Sequence, residues 1–162
     1  MALALPTGVA MTSKLMLALT LTLAATGCDE QAGDTVGAEG GQIVSDDGRV
    51  TLDIPAGALA DDVEISIEAV ETDLEGAIGT AYRIEPAGLV LSFPAELTFD
   101  VVSEEVGDAF DLADAVSAME KLSLVIDKGN QWDRLADHTF DRDAGYVSAS
   151  ALYFGTFALT AR

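Results

Sequence analysis

From Val50 to Val101 apolar and polar residues alternate, and Pro or Gly punctuates each run. Val50, Leu52 and Ile54 fall on one side of an extended chain and Thr51 and Asp53 on the other, because successive side chains of a strand point to opposite faces. Pro55 closes that run by removing a ladder donor. Val63, Ile65, Ile67 and Ala69 repeat the pattern opposite Glu64, Ser66 and Glu68. Tyr82 and Ile84 alternate with Arg83 and Glu85, and Pro86 with Gly88 turns the chain. Leu91 and Phe93, then Leu97, Phe99 and Val101, carry the same phase around Pro94. The acidic outer positions fit a sheet wetted on one face.

The flanks extend this grammar. Gly41 to Val44 reads as a first strand, and Ser45-Asp46-Asp47-Gly48 is hairpin chemistry. Leu122, Leu124 and Ile126 form another strand, which Lys128-Gly129-Asn130 turns into Trp132 and Leu135. Asp141 to Gly145 turns into Tyr146 to Ser150, and Phe157 to Thr160 closes the chain. Regularly spaced short strands predict an all-β fold, an antiparallel β-sandwich of about eight or nine strands over residues 41–162. The exception is Ser103 to Lys121, where Val106, Phe110, Ala113, Val116 and Met119 recur at helical spacing. With Asp108 as cap, this predicts one short helix near 108–120. A loop packed over a sandwich edge would give a similar pattern.

The amino terminus has a different composition. Leu15 to Ala25 is an uncharged run of 11 residues preceded by Lys14, shorter than the roughly 20 residues a spanning helix needs. It fits the apolar region of an export signal, with Met11 a tidier initiator than Met1. Leu23-Ala24-Ala25-Thr26-Gly27-Cys28 follows, and it resembles a bacterial lipoprotein lipobox with Ala25 where Leu is commonest. That resemblance implies a signal peptide over residues 1–27, cleaved by the lipoprotein signal peptidase, and acylation of Cys28, the only cysteine of the chain. Each buried CH₂ of an acyl chain contributes about 0.8 kcal/mol, so two or three chains anchor firmly. Residues 28–40, rich in Gly, Ala and acids with a lone Val36, read as a flexible acidic tether.

Charge narrows the partners. From Cys28 onward the chain has 28 acidic and 7 basic side chains, a formal charge of 7 − 28 = −21. No basic patch is available to neutralise phosphates, which argues against nucleic acid. A single cysteine rules out an internal disulfide.

Several runs together resemble one family. Leu52-Asp53-Ile54-Pro55-Ala56-Gly57-Ala58, Glu85-Pro86-Ala87-Gly88-Leu89, Phe93-Pro94-Ala95-Glu96-Leu97, Trp132 and Phe154-Gly155-Thr156-Phe157-Ala158-Leu159 are similar to the ZU-five domain. That family is named for a zonula-occludens protein and a netrin receptor, and the resemblance covers roughly Gly41 to Leu159. It implies a β-sandwich used for interaction. Some members cut their own backbone at a His-Phe-Ser motif. The matching residues here are Tyr153-Phe154-Gly155, which lack the hydroxyl and base that such cleavage requires.

Other reactive groupings are sparse. His138 is the only histidine and would have to serve any hydrolytic site, although a hairpin histidine is the simpler reading. Asp108, Asp111 and Asp114, beside Glu104 and Glu105, are the densest acidic spacing. Asp141, Asp143 and Gly145 are a fragment of a calcium loop, short of the full pattern. No cofactor or metal ligand set is expected. The sequence therefore predicts a non-catalytic lipoprotein of the bacterial cell envelope, on its periplasmic or surface face. It would be held to the membrane through Cys28 and bind a protein or glycan. The alternatives are a calcium-dependent adhesion module and a small envelope hydrolase using His138.

Overall fold

A computed structural model describes residues 33–101, 121–129, 131–141 and 144–161. Eleven strands fill this region. They are β1 (Asp34–Val36), β2 (Gly41–Val44), β3 (Val50–Ile54), β4 (Val63–Val70), β5 (Ala77–Glu85), β6 (Val90–Asp100), β7 (Leu122–Asp127), β8 (Trp132–Arg134), β9 (Thr139–Asp141), β10 (Tyr146–Tyr153) and β11 (Thr156–Ala161). One sheet has the order β1-β4-β5-β11-β7-β8 and the other β2-β3-β6-β10-β9. Every pairing is antiparallel. No helix occurs among the described residues, and the helix expected near 108–120 lies outside them.

The alternation read from sequence sets the core. Leu52, Ile65, Ile84, Leu97, Leu124, Val147 and Phe157 are fully buried, and they come from both sheets. A buried Leu or Phe contributes roughly 1.5–3 kcal/mol over an exposed one, so this shared interior holds the two sheets face to face.

Three features differ from the sequence expectation. The strand count is higher because β1 and β9 are added to the nine predicted runs. β1 sits inside residues 28–40, the stretch expected to be a flexible tether. There Asp34, Thr35 and Val36 pair with Ile65, Glu64 and Val63, and Val36 is only 5% exposed. An edge strand draws its order from backbone bonds to its neighbour, so one buried side chain suffices where composition alone suggests disorder. Gly40 then turns the chain at φ 75. A Cβ there would lie 2.2 Å from the Ile54 carbonyl oxygen, so only glycine fits.

The third difference is at Phe93, which is 56% exposed although its phase matches buried Leu91 and Leu97. β10 pairs Ala151 with Ala95 and Tyr153 with Val90, so β6 spends five residues where β10 spends two. Pro94 lies in this bulge, where its missing N–H leaves no ladder bond unmade. The extra residues swing Phe93 out of the core phase.

Candidate functional site

β7 is buried on both faces. Leu122, Leu124 and Ile126 enter the sandwich core, while Val125 is buried on the opposite, outer face. Val125 pairs with Ala158 of β11, and Ala158 and Ala81 of β5 are buried beside it. This outer island is covered by partly buried Val70, Leu74 and Trp132. Trp132 stands directly across from Asp127 in the β7–β8 pair, so the two side chains share one face.

Two connecting segments are pinned around this cover. In residues 71–76, the Leu74 N–H donates to Thr72 Oγ1 at 3.1 Å. The Ala77 N–H donates to the Leu74 carbonyl at 3.1 Å, and the Thr160 hydroxyl donates to the Gly76 carbonyl at 2.9 Å. In the β7–β8 turn, Lys128 N–H donates to the Gln131 carbonyl at 3.0 Å, and Gly129 N–H donates to Asp127 Oδ1 at 2.6 Å.

Between the two segments lies a cleft of about 370 Å³, lined by Asp73, Leu74, Glu75, Asp127, Gly129, Gln131 and Trp132. It has an indole floor and three carboxylates, and none of its lining side chains is a hydroxyl, thiol or imidazole. The nearby Lys128 does not neutralise it. Its Nζ is 2.6 Å from Asp133 and 5.6 Å from the centre of the Tyr153 ring. Hydrogen bonding to Asp133, then to Tyr153, holds the Lys128 ammonium well above its usual range. Gln131 also donates to Asp133, at 2.6 Å. The arrangement can bind a positive group through its three carboxylates and indole. A wider depression of about 520 Å³, lined by Ala69, Val70, Glu71, Thr72, Gly79 and Thr80, brings one charge and no aromatic ring.

In the sequence Trp132 reads as a strand residue and as one of the ZU-five-like positions, while Asp73, Glu75 and Asp127 carry no signal of their own. The available signal was Val125, an apolar residue in the solvent phase of β7, which requires something to cover it.

The residues singled out beforehand lie elsewhere. His138 precedes β9, where its Nε2 accepts the Leu124 N–H at 2.8 Å and its ring stacks on Phe140 at 6.4 Å. It continues the edge of β7 as a surrogate carbonyl. Partial burial lowers its pKa from 6.5, the N–H donated into its ring lone pair favours the same neutral form, and the Asp137 charge opposes both. Asp141 Oδ1 accepts the Ala144 N–H at 2.8 Å, closing the β9–β10 turn. Among the described residues, no three acidic, His or Cys side chains gather closely enough to hold a metal ion. Asp108, Asp111, Asp114, Glu104, Glu105, Asp143 and Cys28 lie outside the described residues. At Tyr153-Phe154-Gly155, Phe154 is buried. Its N–H donates to the Leu89 carbonyl at 2.9 Å, and the Gly155 carbonyl accepts the Ile84 N–H at 2.9 Å.

One polar network ties the sheets together. Ser45 Oγ and Tyr82 Oη each donate to the Asp47 carboxylate at 2.6 Å, and the Arg49 N–H donates to it at 3.1 Å. Burial pushes the Asp47 carboxyl up, but hydrogen bonds from Ser45, Tyr82 and Arg49 outweigh it and leave its pKa below the ordinary value. Asp47 sits in the β2–β3 hairpin of one sheet and Tyr82 in β5 of the other.

The chain matches no protein-family model, and no curated protein matches it.

Proposed function

We propose that the chain is a lipid-anchored lipoprotein of the bacterial cell envelope, whose ZU-five-type sandwich serves as a non-catalytic interaction module. One observation carries the reading. The only cysteine, Cys28, ends an export-type leader whose apolar run, Leu15 to Ala25, is uncharged, and the sandwich begins a few residues later, at β1. The cleft beside Trp132 adds support, because its lining provides an aromatic face and carboxylates suited to recognition.

Intact-mass spectrometry of membrane-extracted protein tests the reading. The expected mass is that of the chain from Cys28 onward plus two or three acyl groups, and Cys28→Ala abolishes both cleavage and acylation. A product with its leader in place and a free thiol refutes it.

A further inference from the structure

We infer that the Trp132 cleft receives a basic side chain of a protein partner, with its guanidinium or ammonium group over the indole and among Asp73, Glu75 and Asp127. This rests on the interaction-module reading and adds the chemistry of the partner.

The indole is the aromatic face best suited to a cation. Trp132 packs on the buried island of Ala81, Val125 and Ala158, so its ring is fixed before any ligand arrives. The acids reach the cleft from two separate segments, each held by its own backbone hydrogen bonds. They surround a volume rather than converge on a point, since no three of them gather closely enough for a metal ion. The cleft volume of about 370 Å³ is within the range of organic-ligand pockets and far larger than a bare ion. Among the described residues no Lys or Arg forms an ion pair with Asp73, Glu75 or Asp127. Next door, Lys128 lies between the Asp133 carboxylate and the Tyr153 ring. The protein thus already meets the same recognition need internally, with a carboxylate and an aromatic ring around one cation. The large acid excess would steer a basic segment toward it.

Trp132 is the only tryptophan, so its fluorescence reports on this cleft alone. The test titrates the full membrane-extracted protein, in neutral detergent, with a capped hexa-arginine peptide at low and high salt. A saturable change in emission that weakens with salt is expected. The triple change Asp73→Asn, Glu75→Gln, Asp127→Asn should weaken binding at least about tenfold. The Asn at 127 keeps an acceptor for Gly129 N–H, and melting curves confirm that the variant is folded. A second triple outside the cleft, Glu39→Gln, Asp61→Asn, Glu64→Gln, removes equal charge and should weaken binding no more than about threefold. Equal weakening by both triples, or no saturable change, overturns the proposal. Spermidine or calcium binding as tightly as the peptide overturns the assignment to a protein side chain.

A photo-crosslinker at residue 131, or at residue 93 on exposed Phe93, separates this failure from that of the underlying reading. Partner capture from 93 alone sinks the cleft and leaves the interaction module standing. Capture from neither position counts against both.

Discussion

The Tyr82 hydroxyl offers a direct test of how the two sheets are tied together. Tyr82 is 2% exposed, its ring meets Phe99 of the other sheet edge-on at 5.5 Å, and its hydroxyl donates to Asp47 at 2.6 Å. Tyr82→Phe keeps the ring contact and deletes the hydroxyl. A hydrogen bond to a charged acceptor contributes about 1.5–3 kcal/mol, and water can replace part of it because Asp47 is exposed, so we expect a loss of about 1–1.5 kcal/mol at pH 7. For a domain of this size that lowers Tm by about 3–5 °C.

The pH dependence has a definite sign. The folded pKa of Asp47 lies below its ordinary value of 3.8. Its stabilisation is therefore complete above that ordinary value and is lost as pH falls through the folded value. A protonated Asp47 is a weaker, neutral acceptor, so the gap between wild type and Tyr82→Phe should shrink to roughly half at low pH. Urea titrations of both proteins at pH 7 and stepwise downward from pH 4 through the Asp47 transition measure this. A gap that is absent at pH 7, or that stays constant through that transition, refutes the reasoning.

Other expectations follow from the same geometry. Phe157→Ala removes a fully buried ring from the centre of the six-stranded sheet and should cost about 3–5 kcal/mol by chemical denaturation. Gly40→Ala puts a Cβ against the Ile54 carbonyl at positive φ and should destabilise by about 2 kcal/mol or more, whereas Gly48→Ala, with open space around it, should cost about 1 kcal/mol. Because the folded pKa of His138 is depressed below 6.5, stability should decline as pH falls through 6.5 toward the folded value. His138→Ala should flatten that decline and lower the hydrogen-exchange protection of the Leu124 amide.

Much of the sandwich was readable because a half-buried strand writes its orientation into every second residue. β3 shows this plainly, with Val50, Leu52 and Ile54 buried and Thr51 and Asp53 only partly so. β1 was not readable, since its order depends on the edge of β4, almost thirty residues along the chain. Phe93 was misplaced because a bulge is set by the partner strand's register, which alternation within one strand cannot reveal. The cleft was hidden for a related reason. Leu74 and Trp132 are far apart in sequence, and only the sheet order β5-β11-β7-β8 brings their segments over the same outer island.

The four outermost strands have a shared consequence. Among the described residues β1, β8 and β9 are three residues long and β2 is four, so each outermost strand offers only a short row of amides. A neighbouring copy can make only a few backbone bonds to any one of these four strands. Mutual repulsion between copies, each bearing a charge of −21 from Cys28 onward, works in the same direction. Short outer strands and like charge thus both disfavour strand exchange between crowded copies.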